Sequence, residues 1–264
     1  MIAPHIPGFL APAVIAASGV SASVLASAIP VAAADPCPDV QVVFARGTDD
    51  PPGVGPTGQA FVDSLLPRVG AKSFDVYPVN YPATHDWTSA AEEGIRDAGA
   101  HVISVAHDCP NTKMVLGGYS QGAAVMGFVT SAEVPNGIDP ATVPKPLDPE
   151  VANHVSSVVL YALPSDKAMS FFGAPPVVIG PLYQAKTIKV CAPEDPICAD
   201  GMNFGVHMSY PSNVAVIDKG AAFAADRLGG GPGGPGGPGG PAGAGPGAPA
   251  SVLGSPSAGG GLGG

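Results

Sequence analysis

The chain has 264 residues, of which 45% are hydrophobic and 12% charged, and its formal net charge at pH 7 is -10. This acidic balance argues against nucleic-acid binding, because a phosphate partner needs a basic face. The two ends are compositionally unusual, which leaves roughly 190 residues to fold, enough for a single core.

The first 34 residues are typical of an export signal. An apolar stretch, Phe9–Val31, ends in the small-residue cleavage site Ala32–Ala34, just before Asp35. No Lys or Arg precedes it, so either the start is misplaced or the α-amino group supplies the positive end. The alternative, an uncleaved membrane anchor, is disfavoured by four prolines in this region. We expect a signal peptide over residues 1–34 and an extracellular or cell-wall-associated protein without a stable membrane span.

Strand-like and helix-like patterns alternate through the central region. In chain order the predicted elements are a strand at Val40–Arg46, a helix at Gln59–Val69, a strand at Phe74–Asn80, a helix at Thr88–His107, a strand at Met114–Gly118, a helix at Gln121–Ser131, strands at Val155–Leu163 and Thr187–Cys191, and a helix at Val214–Leu228. The proline-rich segment 133–153 is predicted to be a surface loop. This alternation predicts a parallel sheet with helices on both faces, a three-layer α/β domain over residues 35–228.

Four cysteines follow the predicted signal. Cys191 and Cys198 enclose a short loop and pair naturally, which leaves Cys37 to pair with Cys109. A zinc site is the alternative, but the C-x6-C spacing has no C-x2-C partner, and thiolate clusters suit the cytosol better. We therefore predict two disulfides.

The C-terminal residues 229–264 are uncharged, rich in Gly, Pro and Ala, and hold about half of the chain's 37 glycines. Such a segment buries too little apolar surface to offset its ordering entropy, so a disordered spacer is predicted. Its Gly-Gly-Pro run has the period of collagen but too few triplets to hold a triple helix.

The strongest chemical signal is Gly118-Tyr119-Ser120-Gln121-Gly122. This G-x-S-x-G motif follows a predicted strand and opens a predicted helix, the context that a nucleophile elbow needs. Glycines two residues before and after Ser120 remove Cβ atoms that would clash in the tight turn. The free N–H groups at the helix start suit a developing oxyanion. Ser120 is therefore the predicted nucleophile.

Two histidines follow Ser120 and are candidates for the general base. His207 lies after the last predicted strand, where loops gather over the carboxyl edge of the sheet, and it is preferred. His154 precedes a strand at the end of the proline-rich loop and is expected to face solvent.

Three carboxylates are candidates for the acid that orients the base. Glu194 and Asp195 sit together in the Cys191–Cys198 loop, a rigid mount directly after a strand, and Asp166 also follows a strand. Position alone does not separate Glu194 from Asp195.

The oxyanion hole needs a second donor beside the backbone N–H of Gln121. At the end of the first strand, Gly47 permits a close backbone turn and Thr48 offers both an N–H and a hydroxyl. Arg46 is interpreted as a residue that forms a structural ion pair or anchors the loop, rather than as a substrate clamp.

Four segments together resemble the cutinases: Phe44–Thr48 (FARGT), Val79–Ala83 (VNYPA), Leu116–Ala123 (LGGYSQGA) and Cys191–Cys198 (CAPEDPIC). The closest resemblance, over Cys37–Leu228, is to bacterial secreted cutinase-like esterases. It implies a lidless α/β-hydrolase fold with a small parallel sheet and two disulfides.

The resemblance also implies the site residues. The family's acid is the Asp three residues before the second cysteine of the late pair, which selects Asp195, and its base is the His of a G-x-H-x-x-Y segment, here His207. Its oxyanion hole pairs the N–H of Gln121 with the residue after Arg-Gly, here Thr48, where fungal relatives carry Ser.

The function implied is a secreted, monomeric, lipolytic serine esterase that hydrolyses carboxylic esters of short-to-medium acyl chains and needs no metal or organic cofactor. Apolar residues in two predicted rim loops favour an ester or lipid substrate over a sugar, although ordinary loop packing explains them equally well; they are Tyr81, Pro82, Trp87, Met202, Phe204 and Val206. The alternatives are an acetylxylan-type carbohydrate esterase, an acyltransferase and a non-catalytic wall-associated binding protein.

Overall fold

The structure is a computed structural model that describes residues 37–71 and 73–229. The predicted signal peptide, and the predicted spacer apart from Gly229, lie outside the described residues. The elements are β1 (Val40–Ala45), α1 (Gly55–Leu65), β2 (Phe74–Pro78), α2 (Trp87–Asp108), β3 (Lys113–Tyr119), α3 (Gln121–Val129), β4 (Val155–Tyr161), α4 (Asp166–Phe171), α5 (Pro181–Gln184), β5 (Thr187–Val190), α6 (Phe204–Met208) and α7 (Val214–Leu228). Short 3₁₀ helices lie at Leu66–Arg68, Pro149–His154 and Tyr210–Ser212.

The five strands form one parallel sheet in the order β2-β1-β3-β4-β5. Parallel strands bring all their carboxyl ends to the same edge, which is where ligands bind in open α/β sheets. The predicted three-layer α/β architecture is confirmed.

Both faces of the sheet are covered, as a parallel sheet requires. On one face, β-sheet residues such as Leu116 and Leu160 pack with Met126 of α3 and with α2. On the other face, Phe44 packs with Phe61 of α1 and with α7. Successive side chains of β1 therefore enter opposite cores, and all six of its residues are buried.

The elements that bear on the site differ from prediction in three respects. The short helices α4, α5, α6, Pro149–His154 and Tyr210–Ser212 were not predicted, because segments of three to six residues are too short to show a helical period. Helix α1 begins at Gly55 rather than Gln59, because Pro56 stands in its first turn, where its fixed φ suits a helix start. The strands predicted at Val40–Arg46, Phe74–Asn80, Val155–Leu163 and Thr187–Cys191 each end one or two residues earlier.

Two disulfides join Cys37 to Cys109 and Cys191 to Cys198, which confirms the predicted pairing. The first ties the residue range before β1 to the end of α2, and the second closes the loop that follows β5. Within residues 37–71 and 73–229 no helix has the length and apolarity needed to cross a bilayer, and no cluster of three or more His, Cys, Asp or Glu side chains is placed to hold a metal ion.

Candidate active site

Ser120 lies at the junction of β3 and α3 in a conformation that few non-glycine residues adopt, with φ 53° and ψ -116°. Its N–H donates to the carbonyl of Tyr161 over 3.0 Å. A Cβ on Gly122 would lie 2.0 Å from the Ala45 carbonyl oxygen, and one on Gly118 would lie 2.3 Å from the Gly122 oxygen. The turn therefore requires both glycines, as the sequence predicts, and Ser120 is half-buried.

Three side chains meet at this junction in one line of hydrogen bonds. The Oγ of Ser120 lies 3.0 Å from Nε2 of His207. The Nδ1 of His207 lies 3.1 and 3.0 Å from the two carboxylate oxygens of Asp195. His207 lies on α6 rather than in the predicted loop, and it is 6% exposed, whereas Asp195 is fully buried at 0%. The order Ser, His, Asp is the arrangement that activates a serine for nucleophilic attack.

The other candidate side chains lie away from this line. Glu194 is exposed, and its positive φ of 69° turns the chain so that the next residue, Asp195, enters the interior. Asp166 is an exposed residue at the start of α4. His154 contacts the Pro110 carbonyl over 3.1 Å at the amino end of β4, the opposite end of the strand from the Ser120 junction.

The buried carboxylate of Asp195 has a donor at each oxygen besides His207. The N–H of Ile197 donates to Oδ1 over 2.8 Å, and the hydroxyl of Tyr210 donates to Oδ2 over 2.9 Å. Burial raises the pKa of Asp195, but the hydrogen bonds from His207 and Ile197 outweigh it and leave the pKa below its ordinary value. The carboxylate is therefore ionised, the state needed to hold the imidazole N–H.

Two aromatic residues fix the imidazole ring of His207. Tyr119 stacks against it with ring centroids 5.2 Å apart, and its hydroxyl donates to the His207 carbonyl over 2.5 Å. Phe204 meets the ring edge-on at 5.8 Å. These contacts limit the ring to the orientation in which Nε2 faces Ser120.

The Arg46–Asp50 turn, directly after β1, carries the predicted second oxyanion donor, Thr48. The carboxylate of Asp50 accepts from the Gly47 N–H over 2.9 Å, and the Asp49 N–H donates to Ala83 over 2.8 Å. These bonds leave the Thr48 N–H uninvolved. The N–H of Gln121, the first residue of α3, likewise has no acceptor inside its own helix.

The buried side chain of Arg46 anchors this turn, the second of the two structural roles predicted for it. Its guanidinium donates to the carbonyls of Asp50 (3.0 Å), Tyr81 (2.7 Å) and Pro82 (3.2 Å). The hydroxyl of Tyr81 donates in return to the Arg46 carbonyl. The side-chain amide of Gln121 adds a bond to Thr84 over 3.0 Å, so the serine junction and the turn share one support, residues 81–84.

The apolar rim predicted around the site is wrong for Tyr81 and Trp87. Tyr81 and Trp87 are only 4% and 7% exposed, since Tyr81 supports Arg46 and Trp87 stacks on Phe172. The second rim loop does reach solvent, with Met202 91% exposed and Phe204 also exposed. Pro82 of the first loop is exposed and Val206 of the second is partly buried against the core, so ordinary packing explains Tyr81, Trp87 and Val206.

Asp50, Tyr119 and Tyr210 all contact the site, although the sequence pattern predicts no role for them. Tyr119 and Tyr210 stand inside the two motifs that identify Ser120 and His207, so their positions were visible in the sequence. Their contacts were not visible, because they depend on how separate segments pack.

The chain matches the family model described as Cutinase over residues 36–228. It is 52% identical over 169 residues to the probable carboxylesterase Culp5 of Mycobacterium tuberculosis, covering 64% of this chain and 95% of that protein. It is 40% identical over 215 residues to the phospholipase Culp4 of the same organism, covering 81% of this chain and 90% of that protein.

Two solved structures share the fold at lower identity. A Trichoderma reesei cutinase bound to a phosphonate inhibitor is 34% identical, with a TM-score of 0.54, over 74% of this chain and 78% of that one. An acetyl xylan esterase is 26% identical, with a TM-score of 0.60, over 73% of this chain and 100% of that one.

Proposed function

The chain belongs to the cutinase family and is a serine esterase, a carboxylic ester hydrolase, and from that premise we propose that Ser120, His207 and Asp195 are its catalytic triad. The observation that carries this proposal is the unbroken line of hydrogen bonds from Ser120 Oγ through His207 to the buried Asp195 carboxylate. Thr48 and Gln121 supply the oxyanion donors.

The reaction follows from the positions of these groups. The Nε2 of His207 takes the Ser120 proton as Oγ attacks the ester carbonyl, and Asp195 stabilises the imidazolium that forms. The alcohol departs with a proton from His207, which leaves an acyl-enzyme on Ser120. His207 then activates a water molecule, which releases the carboxylic acid and restores the serine.

The oxyanion donors contribute to the rate because they are fixed before the reaction begins. The N–H of Gln121 is fixed by α3, and that of Thr48 by the Arg46–Asp50 turn. Removing one such donor typically costs about 2.7–4 kcal/mol of transition-state stabilisation.

We propose short-to-medium acyl esters as the substrate class. The exposed Phe204 begins the helix that carries His207, and the exposed Met202 precedes it by two residues. They offer apolar surface to the acyl chain of an ester bound at Ser120. Each buried CH₂ contributes about 0.8 kcal/mol to binding, which favours longer acyl chains until they extend beyond this surface.

A panel of soluble p-nitrophenyl esters from acetate to decanoate, with Ser120→Ala as control, tests the proposal. We expect kcat/KM to rise from acetate to butyrate or hexanoate and then to fall, and the control to be inactive. The rate should also increase smoothly through the substrate's solubility limit. A sharp rise at that limit would reveal a moving cover over the site.

A carbohydrate esterase is the second candidate, favoured by the likeness to the acetyl xylan esterase. Acetate as the best ester, together with release of acetate from acetylated xylan, would select it. A non-catalytic protein would leave every ester intact.

Export is the remaining part of the proposal. It is supported by the two disulfides, which persist in oxidising compartments, and by the signal-like residues 1–34. The secreted protein should begin at Asp35 on N-terminal sequencing. A protein retained in the cytosol with residues 1–34 intact would contradict export.

A further inference from the structure

The phenol of Tyr210 occupies a position that no step of the proposed reaction uses. Tyr210 is fully buried in the 3₁₀ helix that follows α6, three residues after His207. Its hydroxyl donates to Asp195 Oδ2 over 2.9 Å and accepts from the Ala192 N–H over 2.8 Å. It also lies 3.4 Å from the sulfur of Cys198.

These contacts join the two parts of the chain that carry the acid and the base. Ala192 and Cys198 belong to the disulfide-closed loop that holds Asp195, whereas Tyr210 continues the segment that holds His207. Burial raises the pKa of Tyr210, so its hydroxyl keeps its proton at neutral pH. Because the Ala192 N–H occupies a lone pair of the oxygen, that proton is directed at the carboxylate.

We propose that Tyr210 is a positioning residue of this esterase, whose hydroxyl fixes the orientation and the charge of Asp195 towards His207. Without it, His207 would be the remaining donor to Oδ2 among the described residues, and the carboxylate would be held less firmly in its rotamer. The inference rests on the proposed roles of Ser120, His207 and Asp195.

Replacing Tyr210 by Phe separates this role from packing, because the ring remains and the hydroxyl is lost. We expect kcat to fall about tenfold to a hundredfold, as for loss of a hydrogen bond to a charged group, with KM unchanged. Loss of the donor raises the pKa of Asp195. A carboxylate with one donor fewer attracts the imidazolium more strongly, so the acidic limb of kcat/KM should move to higher pH.

Tyr161→Phe is the matched control. Tyr161 is equally buried, its ring packs edge-on against Tyr210, and its hydroxyl donates to the Ile217 carbonyl over 2.8 Å. Its loss should lower the melting temperature and leave the pH profile in place.

The other titratable groups that face the pair do not change in these variants. Asp50 interacts with His207 from the Arg46–Asp50 turn, and burial raises its pKa. Tyr119 stacks on His207 from the end of β3, and burial raises its pKa too. Glu194 is exposed beside Asp195. A shift seen with Tyr210→Phe alone therefore arises at Tyr210.

Two further measurements keep the test decisive. In the Asp195→Asn background, Tyr210→Phe should cost no further rate, since its effect passes through the carboxylate. Site-specific trifluorotyrosine at position 210 preserves the packing and makes the hydroxyl a stronger donor, so it should move the acidic limb to lower pH even where the Phe variant fails to fold.

An unshifted pH profile with either replacement, or a rate loss no larger than in Tyr161→Phe, would overturn the proposal for Tyr210. Failure of the triad assignment is distinguishable, because it would show as a wild-type enzyme whose Ser120 does not react with an organophosphate.

Discussion

The Arg46–Asp50 turn and the Cys191–Cys198 loop carry two parts of the proposed site, the Thr48 N–H and the Asp195 carboxylate, and they are held in place by different means. The turn has no covalent closure and depends on a buried arginine that donates to three main-chain carbonyls. The loop is closed by a disulfide and joined to the base's segment by the Tyr210 hydroxyl.

The two kinds of support suit the two groups presented, a backbone N–H in the turn and a buried carboxylate in the loop. A backbone N–H needs a fixed main chain, and bonds to neighbouring carbonyls of residues 81–83 supply that. A buried carboxylate must also keep its charge and its rotamer, and so Asp195 has a donor at each oxygen in addition to His207. Disrupting the loop should therefore change the charge at the site, whereas disrupting the turn should change its geometry.

We expect the largest loss of kcat when the negative charge of Asp195 in the loop is removed. Asp195→Asn keeps the shape of the side chain but favours the wrong imidazole tautomer, and we expect kcat to fall by about 10⁴-fold. Glu194→Gln is the matched control, because Glu194 is the exposed neighbour and should tolerate the change. A larger loss in Glu194→Gln than in Asp195→Asn would show that the acid is wrongly assigned.

We expect the next largest loss of kcat when the arginine that supports the turn is replaced. Arg46→Met keeps an unbranched apolar stem but removes the guanidinium and leaves its carbonyl acceptors unpaired, at a cost of about 1–3 kcal/mol for each buried group. A displaced Thr48 N–H should lower kcat by up to about 10²–10³-fold. The control is Arg96→Met on the exposed face of α2. Unchanged kcat in a destabilised Arg46→Met enzyme would mean that the turn is not held for catalysis.

The sequence predicted the three residues of the proposed triad but not the contacts that hold them. Ser120 could be predicted because a strand, a tight turn and a helix are encoded in adjacent residues. His207 and Asp195 could be placed from the strand order and the family motifs, although α6 was too short to predict. The contacts of Arg46 with residues 81 and 82, and of Tyr210 with Asp195, could not be predicted, since they join segments whose proximity depends on the completed fold.

Removing either disulfide should have a smaller effect on kcat, and the two removals should differ in whether stability or kcat suffers more. Replacing Cys37 and Cys109 by Ala opens a long loop and should cost about 2–5 kcal/mol of unfolding free energy with little change in kcat. Replacing Cys191 and Cys198 opens a loop of sequence separation 7 and should reduce kcat more than it reduces stability. Thermal melts and steady-state kinetics on the two double variants measure both quantities. Equal kinetic losses in the two would contradict a positioning role for the late disulfide.

Removing the residues after Gly229 should change neither stability nor turnover. They carry no charge and consist mainly of Gly, Pro and Ala, so their composition offers little to a folded core. Melting temperature and turnover of soluble esters should match the full chain. A fall of several degrees would show that this segment contacts the domain.

The nucleophile assignment is tested most directly by labelling with an organophosphate followed by mass mapping of the peptides. The proposed triad predicts one adduct per chain, on the peptide containing Ser120, with strongly slowed labelling in His207→Ala and none in Ser120→Ala. An adduct on another residue, or undiminished labelling of Ser120→Ala, would contradict it.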